Sequence, residues 1–573
     1  MRKSGLKFVA LCHCAGALLG LSMAQTTGTP GAEPSPPPKT TAQSAETPSA
    51  TIHAESRLVV VDVVVTGRHR QPVIGLSKSD FTVLEDGKPQ PIVFFEAHVP
   101  PPAKTVEILR PNQFTNVSEQ TPSSINIVLF DVLNTPFIDQ PYAREQMVQF
   151  LKTLPSGRPV SLFELGTGLR MIAGFGTTSD QLVAAARKVV PHTSELLDTH
   201  EDRQEAEDQL AMQREGSPNQ EFFDRMQDFM SEATAARDEH RAEATLKALR
   251  DLASAVSGFR GRKNVIWLSE EFPVYFGPSL VGDEAHANPD FRSYSEIMRD
   301  LAGLLSSAQI SIYPIDVRGL VSGLVNTGIG GSRPPVMGHI EAIETLHNSM
   351  DDLAKQTGGR AYYNTNDLQL AMQQSLENGS HYYTLAYVPA VKRWDSRYHH
   401  VKVQVAGGLD AEYRKGYFAT PEKQRSEDEA LADLVSATQP ATPQATMLWL
   451  KAQVLLPDRE HAKVRIDCVV DGAGLSFSAG PDNLKHARLR FITVAWDKNL
   501  KAAVKVSHTV DLALPPEKYE HALHNGIAAH QELLLKPGAY RVRLGVMDDG
   551  SQKFGTLDIP IQIDNELSEP PAK

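Results

Sequence analysis

Cysteine is scarce in this chain. There are three in 573 residues, and Cys12 and Cys14 fall in an N-terminal segment with the marks of a removable leader. There, Arg2, Lys3 and Lys7 flank the start of an apolar run from Phe8 to Leu21, which is followed by Ser22-Met23-Ala24. A positive region, an apolar stretch and a small-x-small site read as a secretory signal over residues 1–24, so an exported protein, periplasmic or extracellular, is expected. The mature chain would keep only Cys468, which excludes an intramolecular disulfide despite the exported address. Cys468 lies in an alternating run and reads as a buried apolar side chain. Long apolar runs are also lacking: nothing after the leader approaches the roughly 20 residues of a membrane-spanning helix, so no transmembrane segment is expected after signal removal. Basic excess is missing too. Without Arg2, Lys3 and Lys7 the chain carries 54 basic against 69 acidic residues, a net charge near −15. Such a surface is not held on nucleic acid or anionic lipid by charge.

Enzyme signatures are lacking: there is no H-E-x-x-H, no G-x-S-x-G and no G-x-x-x-x-G-K-[ST]. No catalytic residue and no organic cofactor are expected, and the chain is not read as an enzyme. Gly328-Ile329-Gly330-Gly331-Ser332 runs into Pro334-Pro335 and reads as a loop. His399-His400, with His381 nearby, have no Cys or carboxylate at ligand spacing and are read as solvent-facing.

What is present falls into blocks. Residues 25–50 are rich in Pro, Thr and Ser and read as a disordered tether. Residues 51–100 read as a small β-sandwich-like domain. In it Asp86-Gly87 makes a hairpin turn between residues 81–84 and 92–95. Residues 101–122 read as a linker. From residue 125 strands and helices alternate: strands at 125–130, 160–165, 264–268, 310–315 and 360–363, with helices at 143–153, 179–190, 242–257, 295–308, 340–356 and 368–377. The pattern predicts a doubly wound α/β sheet. Gly358-Gly359 stops the helix before it. Residues 195–243, charged and helix-prone, interrupt the rhythm and read as an insertion, either a solvated helical hairpin or a partner-binding arm. Strand-like runs at 382–388, 400–405 and 412–418 close the α/β region, residues 421–445 read as a third linker, and 446–565 shows only strand patterns, which suggests an immunoglobulin-like sandwich.

Motifs spread over residues 55–420 carry a family resemblance. They are Asp80-Phe81-x-Val83-x-Glu85-Asp86-Gly87, Asp131-x-Leu133-Asn134-Thr135, Gly261-Arg262-Lys263-Asn264-Val265-Ile266-Trp267, Ile312-Tyr313-Pro314-Ile315-Asp316-x-Arg318-Gly319, Thr357-Gly358-Gly359-Arg360-Ala361 and Tyr413-Arg414-x-Gly416-Tyr417-Phe418. The region resembles a von Willebrand factor A-type domain, and more specifically the exported VWFA-related domain proteins abundant in acidobacteria. The resemblance implies a Rossmann-like domain, here between an N-terminal β-sandwich-like module and a C-terminal immunoglobulin-like one. It also implies a metal-ion-dependent adhesion site: Asp-x-Ser-x-Ser after the first strand, a loop Thr, and an Asp after the fourth strand. Mg²⁺ or Mn²⁺ held there by few charges keeps a position open for a partner's carboxylate.

Mapped onto this chain, Asp131 and Thr135 match, Leu133 brings no oxygen, and the amide of Asn134 beside it is the substitute. Thr193 matches the loop Thr, and Glu270 in Ser269-Glu270-Glu271 stands where Asp is expected. Two readings of this turn stand. Either Asp131, Asn134, Thr135, Thr193 and Glu270 form a degenerate Mg²⁺ or Mn²⁺ site, or Asp131 and Thr135 cap the turn without metal. The function expected is protein–protein interaction, adhesion or scaffolding, with a protein partner and no nucleic acid. A metal-independent structural or assembly subunit is the alternative.

Overall fold

The architecture is that of a computed structural model in which residues 58–67, 71–99, 110–116, 124–155, 158–175, 177–197, 200–215, 217, 219–272, 289–320, 337–389, 397–419, 426–457, 461–480 and 482–564 are described. The signal expected at 1–24 and the tether expected at 25–50 lie outside these residues.

The strand Ser124–Asp131 is buried along its whole length, as a strand covered on both faces must be. It sits mid-sheet, in the order Ile310–Asp316, Arg262–Ser269, Ser124–Asp131, Val160–Leu165, Leu169–Ala173. The first four are parallel and the last, reached by a tight turn, is antiparallel. Numbered along the chain the order is 3-2-1-4-5, and Tyr362 adds a parallel bridge to Ile315 as a sixth position. This is the doubly wound order, with its switch point between the first and fourth strands.

Helices cover both faces. On one, Leu246, Leu249, Leu252, Met298, Leu301, Met350 and Leu353 pack against Ile125, Ile127, Val265 and Trp267. On the other, Met147, Phe150, Leu182 and Met372 pack against Val128, Phe130 and Ile266. The helix Met337–Thr357 ends before Gly358, whose φ is +80°, and a Cβ on Gly359 would stand 1.9 Å from the Ile312 carbonyl oxygen. The Gly-Gly pair therefore both stops the helix and lets the chain close onto the sheet.

The flanking strands are arranged differently from the sequence expectation. Tyr382–Tyr387 and Tyr398–Val405 do not extend the parallel sheet. Tyr382–Tyr387 lies between Val59–Thr66 and Ile92–His98, and Tyr398–Val405 pairs with Phe81–Glu85. The two four-stranded sheets so formed share one apolar cluster, with Val61, Val63, Leu385 and Tyr387 facing Phe81, Val83, Val401 and Val403. The Asp86-Gly87 turn is present, but only Lys88–Gln90 pairs back, and Ile92–His98 crosses to the other sheet. Pro89 and Pro91 lack the amide protons that a longer hairpin would use.

Neither expected inner linker is featureless. Gln113–Thr115 joins Leu450–Leu455 as an edge strand, and Asn116 donates to the carbonyls of Ala445 (2.8 Å) and Leu448 (2.7 Å) while accepting from Leu450 N (2.8 Å). Residues Glu427–Ala437 form a helix whose Ser426 and Glu429 cap each other reciprocally. The C-terminal region has two sheets over one core, with Leu450, Val454 and Ile466 on one side and Phe491, Val542 and Leu557 on the other. It also holds a helix, Pro516–Asn525, opened by Pro at its start and closed by Gly526 at φ +76°. No helix among the described residues is long and apolar enough to cross a membrane.

Candidate functional site at the carboxyl end of the sheet

In an open doubly wound sheet, ligands bind where strand order reverses, beyond the carboxyl ends of the strands. Asp131 ends the first strand and Ser269 the fourth, so the switch point lies between them. Asp131 is wholly buried, and both its oxygens are occupied. Oδ1 accepts from the backbone amides of Leu133 (3.1 Å) and Asn134 (2.9 Å). Oδ2 accepts from Asn134 Nδ2 (2.8 Å) and Trp267 Nε1 (2.9 Å), and the single hydroxyl proton of Ser269 lies between it (3.0 Å) and the Glu271 carbonyl (2.7 Å). A carboxylate offers about four lone-pair positions, and the four N–H donors alone fill them. Burial pushes the Asp131 carboxyl up to about 6, against the pull of these donors.

Asn134 is fixed from the helical side as well, its Nδ2 also donating to Thr245 Oγ1 (3.1 Å) while its backbone oxygen accepts from Glu271 N (3.1 Å). Gln140 ties the loop that carries Thr193 to the same turn. Its Nε2 donates to the oxygens of Thr135 (2.8 Å) and His192 (3.0 Å), and its Oε1 accepts from His192 N (3.0 Å). Thr193 itself is exposed.

Glu270 lies beyond the fourth strand. Burial pushes its carboxyl up to about 9, opposed by Arg318 and reinforced by Asp139 and Asp316. Asp316, at the end of the fifth strand, is fully buried and is gripped by both Arg318 Nε (3.0 Å) and Nη2 (2.8 Å), with His347 Nε2 at 3.2 Å. Arg318 and His347 hold its carboxyl below the usual carboxylate range despite burial. Arg241 pairs with Glu271 and with Asp238.

These residues do not fit a cation gripped through Asp131. Its lone pairs are taken, and the donors aimed at it, an amide, an indole and a hydroxyl, stand where positive charge would have to sit. Leu133 still supplies no oxygen. Acceptor capacity remains at three buried oxygens that have no hydrogen-bond partner: Asn134 Oδ1, Thr135 Oγ1 and Glu270 Oε2. A hard cation at this turn would be held by those three, with Asp131 as the post that orients Asn134.

The sequence reading did not single out Trp267, Ser269, Thr245, Gln140 or Arg318, since a donor that fills an internal acceptor has no local signature. It also passed over the rim. Phe137 and Ile138 follow the turn and are exposed, Ile138 at 80%. Leu320 and Val190 are exposed as well. Hydrogen bonds knit these loops together, with Tyr142 Oη donating to Asn366 O (2.8 Å), Leu320 N to Asn366 Oδ1 (2.8 Å) and Arg144 Nη1 to Val189 O (2.9 Å). The available signal was a pair of large apolar residues in a turn after Pro136, where polar residues are usual.

No family model and no curated protein matches the chain. Among solved structures it is similar to proximal thread matrix protein 1 from the mussel byssus with a zinc-occupied MIDAS motif, at 11% identity over 45% of this chain and 48% of that one, TM-score 0.24. BatB from Bacteroides thetaiotaomicron aligns at 12% identity over 45% of this chain and 98% of that one, TM-score 0.23. A von Willebrand factor type A protein from Catenulispora acidiphila aligns at 12% identity over 61% and 80%, TM-score 0.21. The alignment spans about half the length of the mussel protein. Likeness this low carries no argument about activity, and the A-type reading of the α/β region rests on its strand order and the position of Asp131.

Proposed function

We propose that this chain is an exported, non-catalytic interaction protein of the VWFA-related kind. In this reading it is an adhesion or scaffolding component whose A-type domain, set against β-sandwich modules, presents the partner surface at the carboxyl end of its sheet. The observation that carries the reading is the exposed apolar rim of Phe137, Ile138, Val190 and Leu320 on loops that hydrogen bonds hold together. Large apolar side chains left exposed on loops that are held in place favour a protein contact. Asp131 buttresses this surface and takes no part in gripping the partner, so the contact is metal-independent. A second reading is favoured by the three partnerless oxygens of Asn134, Thr135 and Glu270, and places Mg²⁺ or Mn²⁺ there.

One experiment separates the two. Mature chain is immobilised, cross-linked to an envelope extract of the source cells and read out by mass spectrometry, with and without chelator. The expected outcome is a partner captured equally in both conditions and lost with Ile138→Asp. Capture undiminished in Ile138→Asp would remove the rim from the proposal. Capture abolished by chelator, restored by Mg²⁺ and lost in Thr135→Val would replace the first reading by the second.

A further inference from the structure

Away from the A-type sheet, Glu85, Asp86 and His399 each bring one ligand atom to a common point, with all three atoms within 4.8 Å of one another. His399 and Asp86 are 313 residues apart in the chain, His399 on the strand Tyr398–Val405 and Asp86 in the turn after its neighbour Phe81–Glu85. The local backbone explains the convergence. Asp86 and Gly87 have φ of 48° and 79°, the paired left-handed geometry of a tight hairpin turn. Asp86 N donates to His400 O (2.9 Å) and His400 N donates to Asp86 Oδ1 (2.9 Å), which clamps the turn to the Tyr398–Val405 strand. Asp86 Oδ2 is thereby left against His399 Nδ1, at 2.8 Å.

The surroundings orient the other two groups. The His399 ring stacks on Tyr417 at 5.5 Å, and Tyr417 Oη donates to a Glu85 carboxylate oxygen at 3.1 Å. An Asp–His ion pair accounts for two members of the trio but not for Glu85. That carboxylate is 3% exposed and makes no ion pair among the described residues. Beside it lies the wholly buried Tyr387, whose hydroxyl faces the same carboxylate. A buried carboxylate that makes no ion pair is costly, and an ion at the common point lowers that cost.

We propose that Glu85, Asp86 and His399 form a divalent transition-metal site that takes Zn²⁺. One imidazole nitrogen and two carboxylate oxygens suit Zn²⁺, whose sites with three protein ligands keep a fourth position for water. The Asp86 side chain is 43% exposed and opens the site to solvent. Bound there, the ion clips the 81–90 hairpin to the strand that returns after the α/β region. It closes a loop of about three hundred residues, where a cross-link restrains the unfolded chain most. The site owes nothing to the A-type turn at Asp131.

The test is calorimetric titration of the chelator-stripped full chain with ZnCl₂, repeated with Co²⁺ to read its visible d–d absorption. The expected result is one Zn²⁺ per chain, bound at least tenfold more weakly by Asp86→Asn and by Glu85→Gln. Asp86→Asn keeps the turn, since Asn accepts positive φ and its side-chain oxygen can still accept from His400 N. Circular dichroism checks that both variants are folded. His400→Ala, altering an exposed neighbour, and Thr135→Val, altering the other site, should bind as the wild type does. No stoichiometric uptake by the wild type would overturn the proposal, and so would uptake unchanged in Asp86→Asn and Glu85→Gln.

Discussion

The sequence leaves Asp131 as either a metal ligand or a cap of the turn and Glu270 as a ligand, and in the structure Asp131 caps the turn through the amides of Leu133 and Asn134 whereas Thr135 Oγ1 does not. The position of Asp131 was legible, because an apolar run ending on an acid marks the end of a buried strand. Its partners were not, because Trp267 and Ser269 lie on another strand and Thr245 on a helix more than a hundred residues away. Glu270 carries the residue-scale prediction. Burial, with Asp139 and Asp316 alongside, raises its carboxyl to about 9 from an ordinary 4.5. Folded chain therefore retains a proton that unfolded chain releases above about pH 4.5, and stability falls as pH rises from there to 9. Glu270→Gln copies the protonated form. In chelator, urea midpoints of the variant and wild type should coincide near pH 4.5 and separate as pH rises. By pH 8 the variant should be more stable by on the order of 2 kcal/mol, a fraction of what about 1.4 kcal/mol per unit allows for a group that shares its field with Asp139. A constant difference across this range would mean that Glu270 ionises normally.

The helices show where composition misleads. A helix was expected over 242–257, with a separate charged insertion before it, but the helix is continuous from Gln220 to Val256, about 55 Å at 1.5 Å per residue. No Gly or Pro interrupts those 37 residues, so the stop that was inferred from a change in charge had no physical agent. From Arg241 onward Thr245, Leu249, Leu252 and Val256 are buried at helical spacing, whereas before Arg241 only Phe223 is buried. The outer part pairs instead with the helix His200–Arg214 through Arg214–Asp224 and Arg203–Asp238. The hairpin reading thus suits the outer half of the insertion, and Arg241 marks where the sheet's cover begins. Replacing residues 206–234 by a short Gly/Ser turn should change urea stability by no more than about 0.5 kcal/mol. Arg241→Ala should cost about 3 kcal/mol, because it strands Glu271 in a part-buried position. Equal losses in the two variants would show that the outer hairpin supports the domain.

At the scale of the molecule, the α/β unit is an insertion into a two-sheet module and not a neighbour of it. The sequence shows most strands of that module, with 81–84, 92–95, 382–388, 400–405 and 412–418 read as strands and Lys88–Gln90 passed over. It could not give their pairing, because strands that meet across some three hundred residues carry no local sign of their partners. Proximity in sequence instead assigned residues 51–100 a domain of their own and left 382–418 with the α/β region. The core argues otherwise. Leu385 and Tyr387 are fully buried against Val61 and Val63, and Val401 and Val403 against Phe81 and Val83, so a fragment of residues 56–99 exposes half of its own core. Two hairpin-sized pieces without a shared apolar face are marginal in water. The 56–99 fragment should therefore show an unfolded circular dichroism spectrum and no cooperative melt. The same residues joined through a flexible linker to 380–419, with the whole α/β region removed, should fold cooperatively and regain β-sheet signal, because every strand of both sheets is then present. A cooperative melt of 56–99 alone would overturn the insertion topology, and a fused pair that stays unfolded would mean that the α/β unit is needed to hold the two halves in register.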